Sequence, residues 1–410
     1  MSDDLDGWGG AEFVLAADRL DTPDVIEAAD PADILRQVAS AAAQVRTALR
    51  SCAEADLSAL TPDARPRAVV VAGMGGSGLA GEMLAALTGL ASPVQVVLPP
   101  AGRLPGWVGA ADAVLAVSCS GTTPETLAVA TEAARRGCRL AAVGAEGSAL
   151  HRIAGQARAP FVPVIPAGLP RSMLWAVTVP LLVIAERLGV ARIGTDVYEQ
   201  AASRLEEVSH QCRPASESFV NPGKSLALDL VGTLPMVWGT SVLSGVAARR
   251  FAGQLSENAK YPAIAGVLPE AAHSQVAAFD GPFAPRSSRL SAPASPQPRS
   301  PLSAPDAIPD EWDLDYDEPE HPNGFTALRL VLIADPGEDA RVGAQRAAVT
   351  ELAGQRGVGL SELAMDGEHP LVRLAGVIQL TDYASVYLAI ASGIDPGQTV
   401  AVRDLQERIE

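Results

Sequence analysis

The hydroxyl residues of AVLAVSCSGTTPETLAVA (113–130) are dense enough to do chemistry on an anion. Ala113 to Val117 is apolar, valine-rich and too short for a helix, the pattern of a buried strand. Thr123 followed by Pro124 fits an N-cap residue with proline at the first helical position. Ser118, Ser120, Thr122 and Thr123 therefore fall, with Gly121, in a tight loop between a strand end and a helix start. In an open α/β sheet such loops bind ligands, because a helix N-terminus presents unpaired N–H groups and partial positive charge. Hydroxyls add donors without bulk, which suits a small anion such as phosphate. One cap and one turn residue would satisfy a purely structural role; four hydroxyls around a glycine exceed it. A second hydroxyl-bearing turn, GMGGSG (73–78), follows the apolar run RAVVVAG and places Gly76 and Ser77 at the start of another helix.

That second turn also fits the GxGxxG pattern of dinucleotide folds. The pattern requires an acidic residue at the end of the second strand, about 20 residues on, to hold a ribose. Here that strand ends VQVVLPPAG, with proline in place of the acid. The dinucleotide reading fails on this point, and no cofactor is expected.

The elements around these loops alternate. Strands are predicted at 67–73, 94–99, 113–117 and 140–144, with helical stretches between them. The pattern returns in TLPMVWGTSVLSGVAARRFAGQL (233–255) and LRLVLIADPGEDARVGAQRAAV (328–349). The fold expected is α/β: two similar doubly wound modules, each a mostly parallel sheet flanked by helices. A helical lead-in over 1–65 contains one helix at 32–59. It precedes a first module at 66–195, a linking helix at 196–228 and a second module at 229–410. Residues 282–322, Pro/Ser-rich and then acidic, read as a disordered surface insertion unable to bury enough apolar surface to offset its ordering entropy.

Composition narrows the function. The chain has 410 residues, is 48% hydrophobic and only 4% aromatic, so its cores are built from Ala, Val and Leu. A net charge of −17 disfavours nucleic acid and anionic membranes as partners. The cysteines, Cys52, Cys119, Cys138 and Cys212, have no metal-like spacing and read as reduced thiols, so a cytoplasmic setting and no metal are expected. The longest apolar stretch, MLWAVTVPLLVIA (173–185), is short for a membrane span and contains Pro180.

Taken in order, GMGGSG, SCSGTTPET, PAGLPRS, SENAKYPA and PEAAH resemble the double sugar-isomerase (SIS) domain proteins, most closely the bifunctional phosphoglucose/phosphomannose isomerases. The likeness spans about residues 30–280 and 325–405. It implies an aldose–ketose isomerase acting on glucose 6-phosphate, and on mannose 6-phosphate where both C2 faces are admitted, through a cis-enediol. Ser118, Ser120 and Thr123, with Gly76 and Ser77, would hold the phosphate, in agreement with the loop chemistry. Glu257 would be the proton-transferring base, Arg171 the cation at the enediolate, and His273 the ring-opening group reaching the partner's site in a homodimer. By pattern alone Glu257 is an exposed helix residue off the stripe Ala247–Phe251–Leu255, able to pair with Lys260 three residues on. The family's C-terminal lysine, aligned on GIDP, falls near Gln406, and no lysine follows Lys260. The histidine's neighbours are Ala272, Ser274 and Gln275 where the family has asparagine and glutamate. The alternative is therefore a sugar-phosphate-binding regulatory or sensor protein.

Overall fold

In the valine-rich run Ala68–Ala72 (β1) alternate side chains enter different cores. Val69 and Val71 pack on one face of the sheet, Val70 and Ala72 on the other. A strand buried on both faces must be covered by helices on both sides, and it is. The computed structural model describes residues 8–61, 65–89, 92–99, 102–284 and 327–409; the expected insertion lies, from residue 285 on, outside the described residues.

Four helices precede β1: Trp8–Asp21 (α1), Pro23–Ala29 (α2), Ile34–Ala39 (α3) and Ala41–Glu54 (α4). The single helix expected over 32–59 is thus two, broken at Ser40. Its hydroxyl donates to the Gln37 carbonyl at 2.7 Å and accepts from Gln44 Nε2 at 3.0 Å, a local alternative to helical bonding. The first sheet then forms from β1, Gln95–Val97 (β2), Ala113–Ser118 (β3), Arg139–Ala145 (β4) and Phe161–Val164 (β5), in the order β2-β1-β3-β4-β5. Gly76–Thr88 (α5), Pro124–Arg135 (α6), Ala149–Ala157 (α7) and Leu174–Arg187 (α8) accompany it.

The expected linking helix is also two, Thr195–Gln211 (α9) and Pro222–Leu230 (α10). Asn221 caps α10, accepting from the amides of Gly223 and Lys224. The Lys224 ammonium, fully buried, donates to the carbonyls of Leu20, Pro214 and Ser216 at 2.6–2.8 Å, which ties α1 to the break. The second sheet comprises Thr233–Gly239 (β6), Ile264–Val267 (β7), Ala327–Ala334 (β8) and Gly359–Ala364 (β9), ordered β7-β6-β8-β9. Its helices are Val242–Gln254 (α11), Glu270–His273 (α12), Ala340–Gln355 (α13) and Pro370–Ala391 (α14), with Val400–Ile409 (α15) at the end. All strand pairs in both sheets are parallel. Strand β6 takes the place of β1, and β8 that of β3, so the repeat read in the sequence is a repeat in topology.

The modules share one core. Val69, Val71 and Val117 of the first sheet and Val237, Val331 and Ile333 of the second belong to one cluster with Tyr198, Phe251 and Tyr387. Helices α5 and α11, the first helix of each module, pack on each other. Helix α14 is long and apolar enough to cross a membrane, but 94% of its apolar window is buried inside the protein. It is the central core helix.

Candidate active site

Two devices bring backbone close at the first module's strand ends. A Cβ on Gly73 would lie 2.7 Å from the carbonyl carbon and oxygen of Ser77, so only glycine lets α5 start directly above β1. Gly121 sits at φ +67° and a Cβ there would collide with the Ser148 hydroxyl, which caps α7. The loop between β3 and α6 is thereby fixed against the next helix, and the Gly121 carbonyl accepts from the Leu150 amide at 3.0 Å.

Within that loop the hydroxyls converge. Ser118 Oγ lies 2.8 Å from Thr123 Oγ1 and 3.4 Å from Ser120 Oγ, and it accepts from the Gly121 amide at 3.0 Å. Ser120 Oγ accepts from the Thr122 hydroxyl at 3.0 Å. Thr123 occupies the N-cap position of α6, yet its side chain caps nothing. The cluster is thus organised around its own centre rather than around the helix end, and the first-turn amides of α6 lack intrahelical acceptors. Ser118 is buried, Thr123 half-buried and Ser120 exposed, a gradient opening to solvent. An anion entering there meets hydroxyl and amide donors and no carboxylate of the loop itself.

The second module has the same plan but fills the place. Gly239 approaches the Gly245 amide as Gly73 approaches Ser77, and Ser241 and Ser244 form a capping box at the start of α11. After β8, however, comes Asp335 rather than serine. Its carboxylate, 4% exposed, accepts from Ser241 Oγ at 2.6 Å and from the Gly337 amide at 3.1 Å, and pairs with Arg373 at 3.0 Å. Asp335 thus takes the Ser241 hydroxyl and the Gly337 amide here, whereas among the described residues no carboxylate takes the Ser118, Ser120 or Thr123 hydroxyls of the first module.

Arg171 lies in a short 3-10 turn, Pro170–Ser172, which N-terminal helices hold in place. Gln37 Oε1 accepts from the Leu169 amide, and Gln44 Nε2 donates to the Ser172 carbonyl, each at 2.8 Å. The Pro170 carbonyl is 3.8 Å from where a Gly76 Cβ would stand, so this turn borders the Gly76–Ser77 turn. On its other side, Arg171 Nε donates to Asn258 Oδ1 at 2.9 Å. Asn258 belongs to a π-turn, Leu255–Ala259, that continues α11. One extra residue in the turn leaves Leu255 and Ala259 in the core and turns Glu257 outward. The Glu257 carboxylate has no hydrogen-bond partner among the described residues, and it acts on Arg171 through charge. Burial pulls the Arg171 pKa below the usual arginine value, Glu257 opposes this, and Arg250 adds to it.

Lys260 does not pair with the Glu257 side chain. It adopts φ +60°, and its ammonium donates to the carbonyls of Glu257, Asn258 and Asp395 at 3.0–3.1 Å. Burial, then the nearby Arg171 charge, lowers its pKa. His273 ends the short helix α12, exposed, and shares no hydrogen bond or ion pair with Arg171, Glu257 or the hydroxyl loop. Its helix rests through Ala271 on the cluster of Met236 and Trp238, the face of the second sheet opposite the one that anchors Leu255 and Ala259. Among the described residues no three His, Cys, Asp or Glu side chains gather as metal ligands.

Residues 219–409 match the bacterial phospho-glucose isomerase C-terminal SIS domain. The chain is 27% identical over 344 residues to the bifunctional phosphoglucose/phosphomannose isomerase of Caldicellulosiruptor bescii, covering 83% of this chain and 89% of that one. It is 25% identical over 348 residues to the protein of the same name from Aquifex aeolicus, covering 84% and 91%. Over most of its length the chain is thus similar to bifunctional phosphoglucose/phosphomannose isomerases. Its fold is also that of the C-terminal domain of glucosamine-fructose-6-phosphate aminotransferase from Francisella tularensis, with a TM-score of 0.60 at 13% identity over 89% of this chain and 98% of that one.

Of the residues that the isomerase-family motifs single out, Gly76, Ser77, Arg171 and Glu257 border one another through the contacts above, and Ser118, Ser120 and Thr123 form the loop after β3. His273 is not brought to them within one chain. The side chain of Gln406 lies outside the described residues. Gln37 and Gln44, which with Asn258 hold the Arg171 turn, carry no motif of their own, whereas Asn258 stands within the SENAKYPA segment without being singled out there.

Proposed function

We propose that this protein is an aldose–ketose isomerase interconverting glucose 6-phosphate and fructose 6-phosphate, and accepting mannose 6-phosphate where the pocket admits both C2 faces. The observation that carries the reading is the position of Arg171, between the Gly76–Ser77 turn and the outward-facing Glu257. Ser118, Ser120 and Thr123 bind the phosphate with the α6 amides and Ser77. Glu257, unpartnered and exposed, takes the C2 proton of the open-chain aldose and returns it to C1. The O2 proton is lost and O1 gains one, so atoms and electrons balance without a redox partner. Arg171 faces the negative charge that develops on the enediolate oxygens, where a preorganised cation stabilises the transition state more than the ground state.

The ring must open first. His273, whose imidazole can both give and take a proton, would serve that step, and its place on the far face of the second sheet supports delivery to a neighbouring subunit in a homodimer. The four cysteines are all free, which agrees with a cytoplasmic protein. A second reading, a sugar-phosphate sensor that binds without turnover, draws on the lack of any lysine after Lys260. Steady-state formation of glucose 6-phosphate from fructose 6-phosphate separates the two. Glu257→Gln keeps the shape and polarity of the side chain and should lower kcat by at least about a hundredfold, with KM nearly unchanged. Wild-type binding without turnover supports the sensor instead.

A further inference from the structure

Arg171 is gripped along one edge. Its Nε–H donates to Asn258 Oδ1 at 2.9 Å, and Nη2 donates to the carbonyls of Pro396 at 2.7 Å and Gly397 at 3.3 Å. A guanidinium carries five N–H donors in one rigid plane. These bonds occupy the Nε–Nη2 edge and leave Nη1 without an acceptor among the described residues. The direction in which Nη1 points is therefore set by whatever holds the opposite edge.

Asn258 is the one side chain in that grip among the described residues, and its orientation is determined. It is 1% exposed, and its Nδ2 donates to Gln254 Oε1 at 3.1 Å and to Ser385 Oγ at 2.9 Å. Ser385 has a single hydroxyl hydrogen, donated to the Asp382 carbonyl at 2.7 Å, so toward Asn258 it can only accept. The amide must turn its nitrogen to Ser385 and its oxygen to Arg171. A flipped amide would set two donors against each other at Arg171 Nε. Beneath it, the buried Arg250 pairs with the Asp382 carboxylate at 3.0 and 2.9 Å and donates from Nη2 to the Arg171 carbonyl at 2.8 Å. The main chain under Arg171 is thus held by the same group of residues.

We propose that Asn258 is a positioning residue for the isomerisation. Its amide, locked by Ser385, fixes the Arg171 plane so that Nη1 faces the C1 and C2 oxygens of the open-chain sugar. This rests on the reading of Arg171 as the cation at the enediolate. Asn258 touches no substrate; it acts through Arg171.

The test is steady-state kinetics from fructose 6-phosphate, with thermal unfolding of every variant. Asn258→Leu, similar in volume but without the acceptor, should lose about 10- to 100-fold in kcat with KM changed less than about twofold, the scale expected for an angstrom of misplacement. Asn258→Asp keeps an acceptor for Arg171 Nε while losing both donors, so it should recover most of that loss although it is less stable than wild type. In an Arg171→Lys background, Asn258→Leu should cost nothing further, because the residue it positions is gone. If Asn258→Leu does not fold, Ser385→Ala removes the lock without touching Arg171 and should lower kcat about two- to tenfold at constant KM. Losses that follow the melting temperatures, with Asp worse than Leu, or costs that multiply in the double variant, overturn the positioning role and leave the isomerase reading standing. Wild-type kinetics in Ser385→Ala do the same. A wild-type protein without turnover removes both.

Discussion

Replacing Thr123 by valine separates an anion anchor from a helix cap. Valine keeps the β-branched shape and removes only the hydroxyl. A hydrogen bond to a charged group contributes about 1.5–3 kcal/mol, which is about 10- to 150-fold in affinity. Phosphate and fructose 6-phosphate should weaken by the same factor, since both use the same donors. Stability should barely move. The Thr123 side chain makes no capping bond, and its hydroxyl contact is Ser118 Oγ at 2.8 Å. Ser118 still accepts from the Gly121 amide at 3.0 Å, and its hydroxyl hydrogen turns to Ser120 Oγ, 3.4 Å away, on the side open to solvent. A capping threonine would behave in the opposite way, costing about 0.5–2 kcal/mol of stability and no affinity. Calorimetric titration with each anion, alongside thermal unfolding without ligand, reads both quantities. Unchanged phosphate affinity with a lowered melting temperature would refute the anchor.

Two further expectations concern assembly and acid stability. If His273 completes the neighbouring site, mixing inactive Glu257→Gln and His273→Ala subunits should restore part of the activity, because a mixed dimer contains one intact site. No recovery after confirmed subunit exchange removes the shared-site arrangement. In the first module, the hydrogen bond from Arg67 to Asp112 (2.7 Å), opposed by burial, holds that carboxyl below its usual range. The unfolded chain then takes up the proton more readily, so this stability is complete above about pH 4 and falls away as pH drops through the folded pKa. Asp112→Asn should flatten the acid side of a urea-unfolding profile below about pH 4; an unaltered slope would show that the pair contributes nothing there.

What the sequence discloses of this site is what short-range rules encode. The strand Ala113–Ser118, the Thr123–Pro124 helix start and the glycine turn at 73–78 are each decided within a few residues, and each stands where the pattern puts it. Repetition of the strand–loop–helix unit likewise carries over into matching strand orders in the two sheets. Strands β5 and β7 are four residues each, and β9, though six, is mostly half-buried or exposed, so their sequences show no strong apolar run or alternation to betray them. The outward turn of Glu257 depends on a π-turn, one residue more than helical periodicity allows, so a helical wheel shows its exposure but not its setting. Arg171 is held by Asn258, 87 residues away, and by carbonyls 225 and 226 residues away, and no local pattern can show such contacts. Asp335 teaches the reverse lesson. The strand–loop–helix pattern repeats in the second module, but there the protein's own carboxylate takes the Ser241 hydroxyl and pairs with Arg373, which the repeat does not reveal.

The central claim, proton transfer by Glu257 in an isomerase, is tested most directly by isotope exchange. The wild-type protein is incubated with fructose 6-phosphate in D₂O and the products followed by NMR. A carboxylate base exposed as Glu257 is can exchange the abstracted proton with solvent before returning it. Deuterium should therefore appear at C2 of glucose 6-phosphate, and mannose 6-phosphate should accumulate with it if both faces are admitted. Glu257→Gln should bind fructose 6-phosphate as wild type does and incorporate no label. Labelling that persists in Glu257→Gln, or a wild-type protein that binds the sugar phosphate and never labels it, would contradict the account.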